Sequence, residues 1–342
     1  MKSSAVIFTA KEKVEYGDVE VPDTGPQDVV VRTRYSWISN GTEASFLRCE
    51  RSTGLVPWRP SMPLPFPMVP GYQKVGVVEE IGSEVEGFEE GQWVFAITTK
   101  TVDTWGDCGG HVRRGPVDIN QVMALPDAVD YAAEQQEAIK YSGLILTQVG
   151  YNSGSRPPVD EGCHALVVGD GMVGQWSAQT LQLRGAKVAL VGKHDSRLGT
   201  FAERDGDLKL KFQNEDWLER ALTWGGGEFD IVVDTVGNDV NIDLNLKLLT
   251  LIRREGHYVT AGHEGEHAHM DLKDFIRKEI TLHCPGGWTR PRLAKTMELV
   301  HRGELTTLPL ITDHVSADRA VEMWEKLLRH RDSTLGVILE WE

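Results

Sequence analysis

The sequence predicts an α/β protein whose second half contains a doubly wound parallel sheet and whose first half is rich in β-strands. The main observation is the order of elements from His164 to Leu198: an apolar run, a glycine-rich turn, an amphipathic segment and a second apolar run. After residue 200, apolar runs alternate with helical patterns, as expected when parallel strands are joined by crossover helices. Before residue 130, strand-like runs are separated by turns.

The β-rich first half begins at the first residues. The run MKSSAVIFTAKEK is too short in apolar residues for a signal peptide and predicts a first strand. Val29–Arg34 follows a turn at Gly25–Asp28, and Lys74–Ile81 alternates around Gly76, so both predict strands. Six prolines between Val56 and Pro70 predict a loop.

The second half reads as alternating helices and strands. Tyr131–Val149 has helical spacing, and a polar segment, Tyr151–Asp160, precedes the glycine-rich turn. The later predicted elements are strands at Ile231–Val233, His257–Ala261 and Glu279–His283, helices at Arg290–Arg302 and Ala317–His330, and a closing strand at Gly336–Leu339.

The glycine-rich turn has the spacing of a dinucleotide site. Gly169, Gly171 and Gly174 form a G-x-G-x-x-G motif between a strand and a helix, and Met172 and Val173 complete its sequence. The first glycine allows a tight turn, the second lets the backbone approach a pyrophosphate, and the third lets the helix pack close to the strand. The free N–H groups at the start of the helix favour an anion. We therefore predict a Rossmann-type dinucleotide-binding domain.

The tip of the second strand bears on the choice between NAD and NADP. An NAD site usually has Asp or Glu about 20 residues after the turn, where it binds the ribose 2′-hydroxyl. Here the strand ends in Gly192, Lys193 and His194, and Arg197 follows. Lys193 and Arg197 would attract a 2′-phosphate. The sequence favours NADP(H), and NAD is the alternative if Lys193 is a solvated loop residue and Asp195 reaches the ribose.

Composition narrows the class of protein. A chain of 342 residues with 40% hydrophobic content can form two domains with substantial cores. A net charge of −15 argues against binding nucleic acid or an anionic membrane, and no run approaches the ~18 apolar residues of a membrane span. Its four cysteines are far apart, which suits reduced thiols in a cytoplasm. We expect a cytoplasmic protein that acts on a small molecule.

Residues 76–94 carry the most specific resemblance to a known family. They read GVVEEIGSEVEGFEEGQWV, which resembles the signature of the medium-chain dehydrogenase/reductases, the alcohol dehydrogenase superfamily. The glycines of this run suit positive-φ turns of a small barrel. The resemblance covers almost the whole chain. It implies a GroES-like β-barrel catalytic domain at residues 1–130, a Rossmann domain at 131–287 and a return to the first domain at 288–342.

The chain departs from the zinc-dependent members of this family at their ligand positions. Those members have a cysteine, then Gly-His-Glu, then a third ligand. The corresponding residues here are Ser39, then Tyr72 and Gln73, and a segment near Glu134–Glu137. Hydroxyl, phenol and carboxamide groups are poor zinc ligands. The structural lobe with four cysteines is also reduced to Cys108. We therefore expect a metal-free member.

A subgroup that contains bacteriochlorophyllide hydroxyethyl dehydrogenases shares further motifs with this chain. These are the Ile-Ser-x-Gly-Thr-Glu run at Ile38–Glu43, the Val-Pro-Gly-Tyr run at Val69–Tyr72 and the segment Gly287–Arg290. The subgroup includes several substrates, so it indicates the reaction type more than the substrate.

Without zinc, protein groups must supply acid–base chemistry and stabilise a developing alkoxide. The resemblance places Tyr72, Ser39, Glu43 and Lys140 in the substrate pocket. Tyr72 offers a phenol that can donate to the alkoxide, and Lys140 could lower the pKa of a neighbouring phenol. The alternatives are that Tyr72 and Tyr141 are packed aromatics and that Glu43 binds a structural arginine.

Two segments at later strand ends are candidate cofactor contacts. Asp234–Asn238 resembles the family segment against the nicotinamide ribose, which implies contacts from Thr235, Val236 and Gly237. Ala261 and Gly262 end the next strand, where the family has a loop near the nicotinamide. The histidine-rich loop that follows, His263–His269, is more typical of solvated side chains than of a metal site.

These features leave three functions open. The first is a zinc-independent, NADP(H)-preferring oxidoreductase that transfers a hydride between the nicotinamide and a secondary alcohol or ketone. The second is a quinone- or enoyl-type reductase of activated C=C bonds, and the third is a non-catalytic nucleotide-binding protein. Trp37, Phe46, Trp58 and Phe66 suggest a bulky or ring-shaped substrate, although such aromatics usually pack.

The last predicted strand of the sheet bears on assembly. Ile280, Leu282 and Cys284 make Glu279–Cys284 an apolar edge strand, which would be prone to aggregation if left open. Relatives pair this edge across a two-fold axis, so the resemblance implies a homodimer.

Overall fold

The computed structural model describes residues 1–50, 66–105, 109–127, 129–237, 242–262 and 272–342. It divides the chain into two units, one formed by Met1–Ile145 with Thr307–Glu342 and one formed by Leu146–Thr306. The proline-rich segment 51–65 (with Trp58), Cys108 and the loop His263–His269 lie outside the described residues.

The described residues contain fifteen strands. They are β1 Lys2–Ala10, β2 Lys13–Glu20, β3 Asp28–Trp37, β4 Lys74–Ile81, β5 Trp93–Ala96, β6 Arg114–Asp118, β7 Val122–Ala124, β8 His164–Val168, β9 Lys187–Gly192, β10 Leu208–Lys211, β11 Phe229–Asp234, β12 Ile252–Thr260, β13 Thr281–His283, β14 Ile311–Ser316 and β15 Gly336–Glu340.

The α-helices of the same residues are α1 Thr42–Leu47, α2 Gln135–Ile139, α3 Leu144–Ser155, α4 Met172–Leu183, α5 Asp195–Leu198, α6 Trp217–Trp224, α7 Ile242–Thr250, α8 Leu272–Lys278, α9 Arg290–His301 and α10 Ala320–Arg329. None of the helices in these ranges is both long enough and apolar enough to cross a membrane.

The first unit is the predicted β-rich domain. Its main sheet has the order β14-β15-β3-β4-β5-β7, and β6 pairs with β3, while β1 and β2 form an antiparallel pair. Strand β15 therefore pairs with β3, far away in sequence. Trp324 of α10 packs edge-on against Phe8 of β1, with ring centroids 5.0 Å apart, in a core that includes Leu339. The C-terminal segment is thus part of this core, as the predicted return of the chain requires.

The second unit is the predicted Rossmann domain. Its six strands are all parallel in the order β10-β9-β8-β11-β12-β13. Counted from β8, this is the order 3-2-1-4-5-6 of dinucleotide-binding sheets. On β8, Leu166 belongs to one buried cluster and Val167 to another. The strand is buried on both faces, which explains its continuous apolar sequence.

The unit boundaries differ from the predicted ones, since the second unit begins at Leu146 rather than residue 131 and ends at Thr306 rather than residue 287. The helical spacing of Tyr131–Val149 corresponds to two helices, α2 and α3, which are separated by a turn at residues 140–143, and α3 continues into the polar segment to Ser155. In the turn, a Cβ on Gly143 would lie 2.7 Å from the Trp37 ring. This close contact ties residues 140–143 to β3 in the first unit.

The glycines of the family signature serve two different purposes. Gly87 and Gly91 have φ of 82° and 85°, as expected for positive-φ turns. Gly76 and Gly82 are required for close approach instead, because a Cβ on them would lie 2.2 Å from the Arg32 carbonyl oxygen and 2.3 Å from the Gly25 carbonyl oxygen. Close approach of another backbone segment explains these two better than turn conformation does.

Candidate active site

The glycine turn leaves the start of α4 accessible to an anion. Gly169 has φ of 114°, and its N–H donates to the Val191 carbonyl at 2.8 Å, which ties the turn to β9. A Cβ on Gly174 would lie 1.9 Å from the Gly169 carbonyl oxygen, so this position needs glycine. A Cβ on Gly171 would meet nothing within 4 Å, so the space above the helix start is open. The turn fits the pyrophosphate of a dinucleotide.

Five of the predicted cofactor residues lie at the carboxyl ends of β11 and β12, namely Thr235, Val236, Gly237, Ala261 and Gly262. Thr235 Oγ1 donates to the Val168 carbonyl at 2.8 Å. A Cβ on Gly169 would lie 2.2 Å from Thr235 Oγ1. A Cβ on Gly262 would lie 2.2 Å from the Gly237 nitrogen. The strand ends of β8, β11 and β12 are therefore packed against one another, with little room for side chains.

Asp234 organises this edge, and the sequence reasoning did not recognise its role. Its carboxylate accepts the N–H of Val236 at 2.8 Å and the Tyr258 hydroxyl at 3.0 Å. Its carbonyl accepts the N–H groups of Ala261 and Gly262 at 2.8 and 3.1 Å. The signal was a carboxylate at the end of a buried apolar strand. The residue is buried, so it shapes the loops rather than presenting a charge.

The end of β9 has no carboxylate of its own, but the Asp170 carboxylate of the glycine turn binds the backbone that follows this strand. Asp170 Oδ2 accepts the backbone N–H groups of Lys193 and His194 at 2.7 and 2.6 Å. The His194 ring lies 3.1 Å from the same oxygen, and the Arg197 guanidinium lies 3.6 Å from Oδ1. The Lys193 side chain is exposed. Asp195, the alternative ribose ligand, is 75% exposed and pairs with Lys211.

In the first unit, Tyr72 and Ser39 form a hydrogen-bonded pair of hydroxyls. The Tyr72 hydroxyl donates to Ser39 Oγ at 2.5 Å. Ser39 is buried at the end of β3, and Tyr72 is half-buried just before β4. Two residues that stand at zinc-ligand positions in the family resemblance are thus adjacent in space. Their groups can donate or accept a proton.

Glu43 lies beneath Ser39 in a buried chain of hydrogen bonds. Its Oε1 accepts the Ser39 N–H at 2.7 Å, and its Oε2 lies 2.9 Å from His111 Nε2. His111 Nδ1 lies 2.9 Å from Ser36 Oγ, which accepts from Trp341 Nε1 at 2.9 Å. Since the Glu43 carboxylate is an acceptor, we assign the proton on His111 to Nε2.

The described partner of Glu43 is therefore a histidine and not the structural arginine considered from the sequence. Glu43, His111 and Ser36 are fully buried. This buried series of hydrogen bonds therefore holds the Ser39 backbone in place. His111 carries no local motif that would have revealed this contact.

Lys140 forms an ion pair with the neighbouring Glu137. Its ammonium group lies 2.5 Å from Glu137 and 5.1 Å from the centre of the Tyr141 ring. Burial raises the pKa of Tyr141 above its ordinary value, so the expected lowering of a neighbouring phenol pKa does not apply to Tyr141. Tyr141 itself is fully buried and packs as an aromatic.

The residues at the zinc-ligand positions do not fit a zinc ion. The Gln73 side chain is buried and donates to the Trp37 carbonyl at 3.2 Å, and Tyr72 and Ser39 are hydroxyls. Within the described ranges, no cluster of three His, Cys, Asp or Glu side chains could hold a metal ion. A tetrahedral zinc site needs thiolate, imidazole or carboxylate donors, and Ser39, Tyr72 and Gln73 supply none of these.

Lys74 is a second buried polar residue near the start of β4. It is fully buried, and its ammonium group donates to Thr99 Oγ1 and to the Gly109 carbonyl, the latter at 3.3 Å. Burial lowers the pKa of Lys74 to about 7. Nothing in its sequence position indicates burial.

A parallel sheet in dinucleotide-binding order with a glycine turn open to a pyrophosphate, in a chain that also has a separate β-rich unit, is typical of nicotinamide-dependent dehydrogenases and reductases. Residues 25–127 match the family "Alcohol dehydrogenase GroES-like domain", and residues 173–302 match "Zinc-binding dehydrogenase". The chain belongs to the medium-chain dehydrogenase/reductase superfamily. This confirms the resemblance found in residues 76–94 and the two-part fold predicted from it.

Individual relatives cover the chain from end to end. L-threonine 3-dehydrogenase of Deinococcus radiodurans is 40% identical over 346 residues, which cover 95% of this chain and 94% of that protein. The 2-desacetyl-2-hydroxyethyl bacteriochlorophyllide A dehydrogenase of Rhodobacter capsulatus is 25% identical over 344 residues, with 100% and 99% covered. A solved structure of a putative zinc-binding dehydrogenase from Sinorhizobium meliloti bound to NADP has a TM-score of 0.80 at 16% identity, covering 99% of each chain.

Proposed function

We propose that this protein is a zinc-independent, NADP(H)-preferring oxidoreductase that interconverts a secondary alcohol and a ketone. The observation that carries the proposal is the hydrogen-bonded pair of Tyr72 and Ser39 at family ligand positions. A phenol can replace the metal as the group that stabilises a developing alkoxide.

The proposed roles of the residues follow from their hydrogen bonds. The nicotinamide, when bound, supplies or accepts the hydride. During reduction, the Tyr72 hydroxyl donates its proton to the substrate oxygen, and the Ser39 hydroxyl then donates a hydrogen bond to the phenolate, which regains its proton from solvent because Tyr72 is only half-buried. Glu43 accepts the Ser39 N–H and thereby positions this hydroxyl. The glycine turn binds the pyrophosphate of the cofactor, and the exposed Lys193 binds the 2′-phosphate.

The second candidate function is reduction of an activated C=C bond. It is favoured by the lack of zinc-type donors at the ligand positions, because an enolate needs a hydride and one hydrogen-bond donor. An aromatic enone such as 4-phenyl-3-buten-2-one contains both bonds and tests the ring-shaped substrate class as well. With NADPH, the proposal predicts the allylic alcohol. The saturated ketone as the product by NMR would establish the second function instead.

The preference for NADPH is the first testable consequence. Because Lys193 follows Gly192 where an NAD site has a carboxylate, NADPH should bind at least ~10-fold more tightly than NADH, about 1.4 kcal/mol. Lys193→Ala should reduce this preference by removing an exposed cation. Titration of cofactor fluorescence measures both constants. Equal affinities for the two cofactors in the unmodified protein would contradict the preference.

The second consequence concerns metal content. Because Ser39, Tyr72 and Gln73 replace the usual donors, the purified protein should contain well under one zinc ion per chain. Treatment with a chelator should leave the turnover rate unchanged. Stoichiometric zinc by elemental analysis, lost together with activity on chelation, would show that the site binds metal.

We also propose a homodimer formed through the edge of the second unit. Strand β13 is the last strand of the sheet, and its Leu282 is 37% exposed. On α8, Leu272 and Ile276 are 63% and 76% exposed. Pairing two such edges would cover open backbone groups and these side chains. Light scattering at micromolar concentration should give twice the mass of 38.1 kDa, and a monomer would refute the pairing.

A further inference from the structure

The carboxylate of Asp170 connects the glycine turn with the loop after β9. It is 5% exposed and lies between the first two glycines of the turn. One of its oxygens, Oδ2, accepts both the Lys193 and the His194 backbone N–H groups, at 2.7 and 2.6 Å. These two peptide groups follow β9 directly, so one carboxylate determines the direction in which the chain leaves the strand.

Two side chains also lie close to the same carboxylate. The His194 ring nitrogen Nδ1 lies 3.1 Å from Oδ2, and the Arg197 guanidinium lies 3.6 Å from Oδ1. A buried carboxylate is stable only when donors of this kind satisfy it. Asp170 is therefore committed to the protein and is poorly placed to accept a hydrogen bond from a ribose hydroxyl.

Asp170 also explains why β9 ends in glycine. A Cβ on Gly192 would lie 2.5 Å from the Asp170 Cβ and 2.7 Å from its Oδ2. A carboxylate side chain at position 192, the usual NAD determinant, would therefore collide with Asp170. A buried Asp170 and a carboxylate at position 192 therefore exclude each other, and this protein has the buried Asp170.

We propose that Asp170 is a positioning residue for cofactor choice, which holds the backbone of Lys193 and His194 in the shape that presents the exposed Lys193 side chain to the 2′-phosphate of NADP(H). This inference rests on the proposed NADPH preference and names the residue behind it. It runs against the simplest electrostatic expectation, in which a carboxylate next to this loop only repels the phosphate.

The test compares Asp170→Ala with Asp195→Ala, and measures the binding of NADPH, NADH, 2′,5′-ADP and 5′-AMP by titration. Asp195 is the matched control because it is a nearby acid, at the start of α5, whose exposed side chain pairs with the Lys211 side chain. Both variants remove one negative charge. Only Asp170→Ala frees the N–H groups of Lys193 and His194.

If Asp170 positions the loop, Asp170→Ala should weaken NADPH and 2′,5′-ADP binding roughly 10-fold, and NADH and 5′-AMP binding by less than about 2-fold. Asp195→Ala should leave NADPH binding unchanged or slightly tighter. Asp170→Asn keeps one acceptor oxygen and should lie between the unmodified protein and the alanine variant. If the alanine variant does not fold, the asparagine variant still has to show a selective loss of NADPH affinity.

Three results would overturn the inference: tighter NADPH binding by Asp170→Ala, a larger loss for NADH than for NADPH, or equal losses for both cofactors. The first would indicate simple repulsion, the second a ribose-binding acid, and the third general support of the glycine turn. Failure of the proposed function gives a different signature, namely equal NADPH and NADH affinities in the unmodified protein.

Discussion

Replacing Tyr72 by phenylalanine should slow the chemical step by roughly 10²-fold or more, the scale for losing a general acid or an oxyanion donor. The ring remains in place and only the hydroxyl that donates to Ser39 is removed. Single-turnover reduction of a ketone by bound NADPH measures this step directly. Affinity for NADPH should not change, because the glycine turn lies in the other unit.

Tyr131→Phe is a suitable control for the loss of a phenol. Its hydroxyl donates to the Pro126 carbonyl at 2.6 Å and is also hydrogen-bonded to the Tyr141 side chain, so the substitution removes two hydrogen bonds within the same unit. It should lower the free energy of unfolding by about 2 kcal/mol and leave the chemical step intact. If Tyr72→Phe turns over normally, the phenol only packs, and the proton donor has to be sought at Glu43 or Lys140. Early melting or lost NADPH affinity in Tyr72→Phe would mean that the substitution acts on the structure.

Replacing Lys74 by methionine should stabilise the first unit, and the gain should depend on pH. The pKa of Lys74 is lowered by burial to about 7, whereas an unfolded lysine keeps its proton to about pH 10.4. Below pH 7 both states hold the proton, so the free energy of unfolding includes the full cost of a buried charge. Between pH 7 and about 10.4 the folded protein releases the proton and the cost falls; above that range it is gone.

We therefore expect Lys74→Met to raise the free energy of unfolding by roughly 3 to 4 kcal/mol at pH 6, after allowing for the lost hydrogen bond to Thr99. Near pH 10.5 the gain should vanish. Denaturant titrations across this pH range measure it. Lys13→Met, a matched change at an exposed lysine of β2, should show no such trend. A gain that is the same at pH 6 and pH 10 would mean that Lys74 is not neutralised by burial.

The sequence predicted the parts of the fold that depend on local patterns. The predicted and observed bounds of β4, Lys74–Ile81, are identical, because the alternation of this strand and its flanking turns are local signals. The glycine turn and the strands on either side of it were found for the same reason. The turn that divides Tyr131–Val149 into two helices lies against Trp37, 106 positions earlier, and helical spacing alone does not reveal such a contact.

The same distinction applies to the site. Tyr72 and Ser39 were identified through the family resemblance, and the structure brings them within hydrogen-bond distance, although their catalytic roles remain predictions. The contact between Glu43 and His111 could not be read from the sequence, since it joins residues 68 positions apart. The sequence shows that Asp170 belongs to the glycine motif. It does not show that the Asp170 side chain points to the backbone after β9, because that direction depends on how the two segments pack. Burial of Lys74 is likewise a tertiary effect.

The pairing of β15 with β3 has a consequence for the order in which the chain folds during synthesis. The second unit is one uninterrupted stretch, Leu146–Thr306, so it can fold as soon as that stretch has left the ribosome. The first unit must wait, because Ser36 receives its hydrogen bond from Trp341, 305 positions later. A nascent chain thus acquires its nucleotide-binding sheet while the network around Glu43 is still incomplete. Residues 1–145 are therefore synthesised first, but the unit to which they belong is the last to complete its fold.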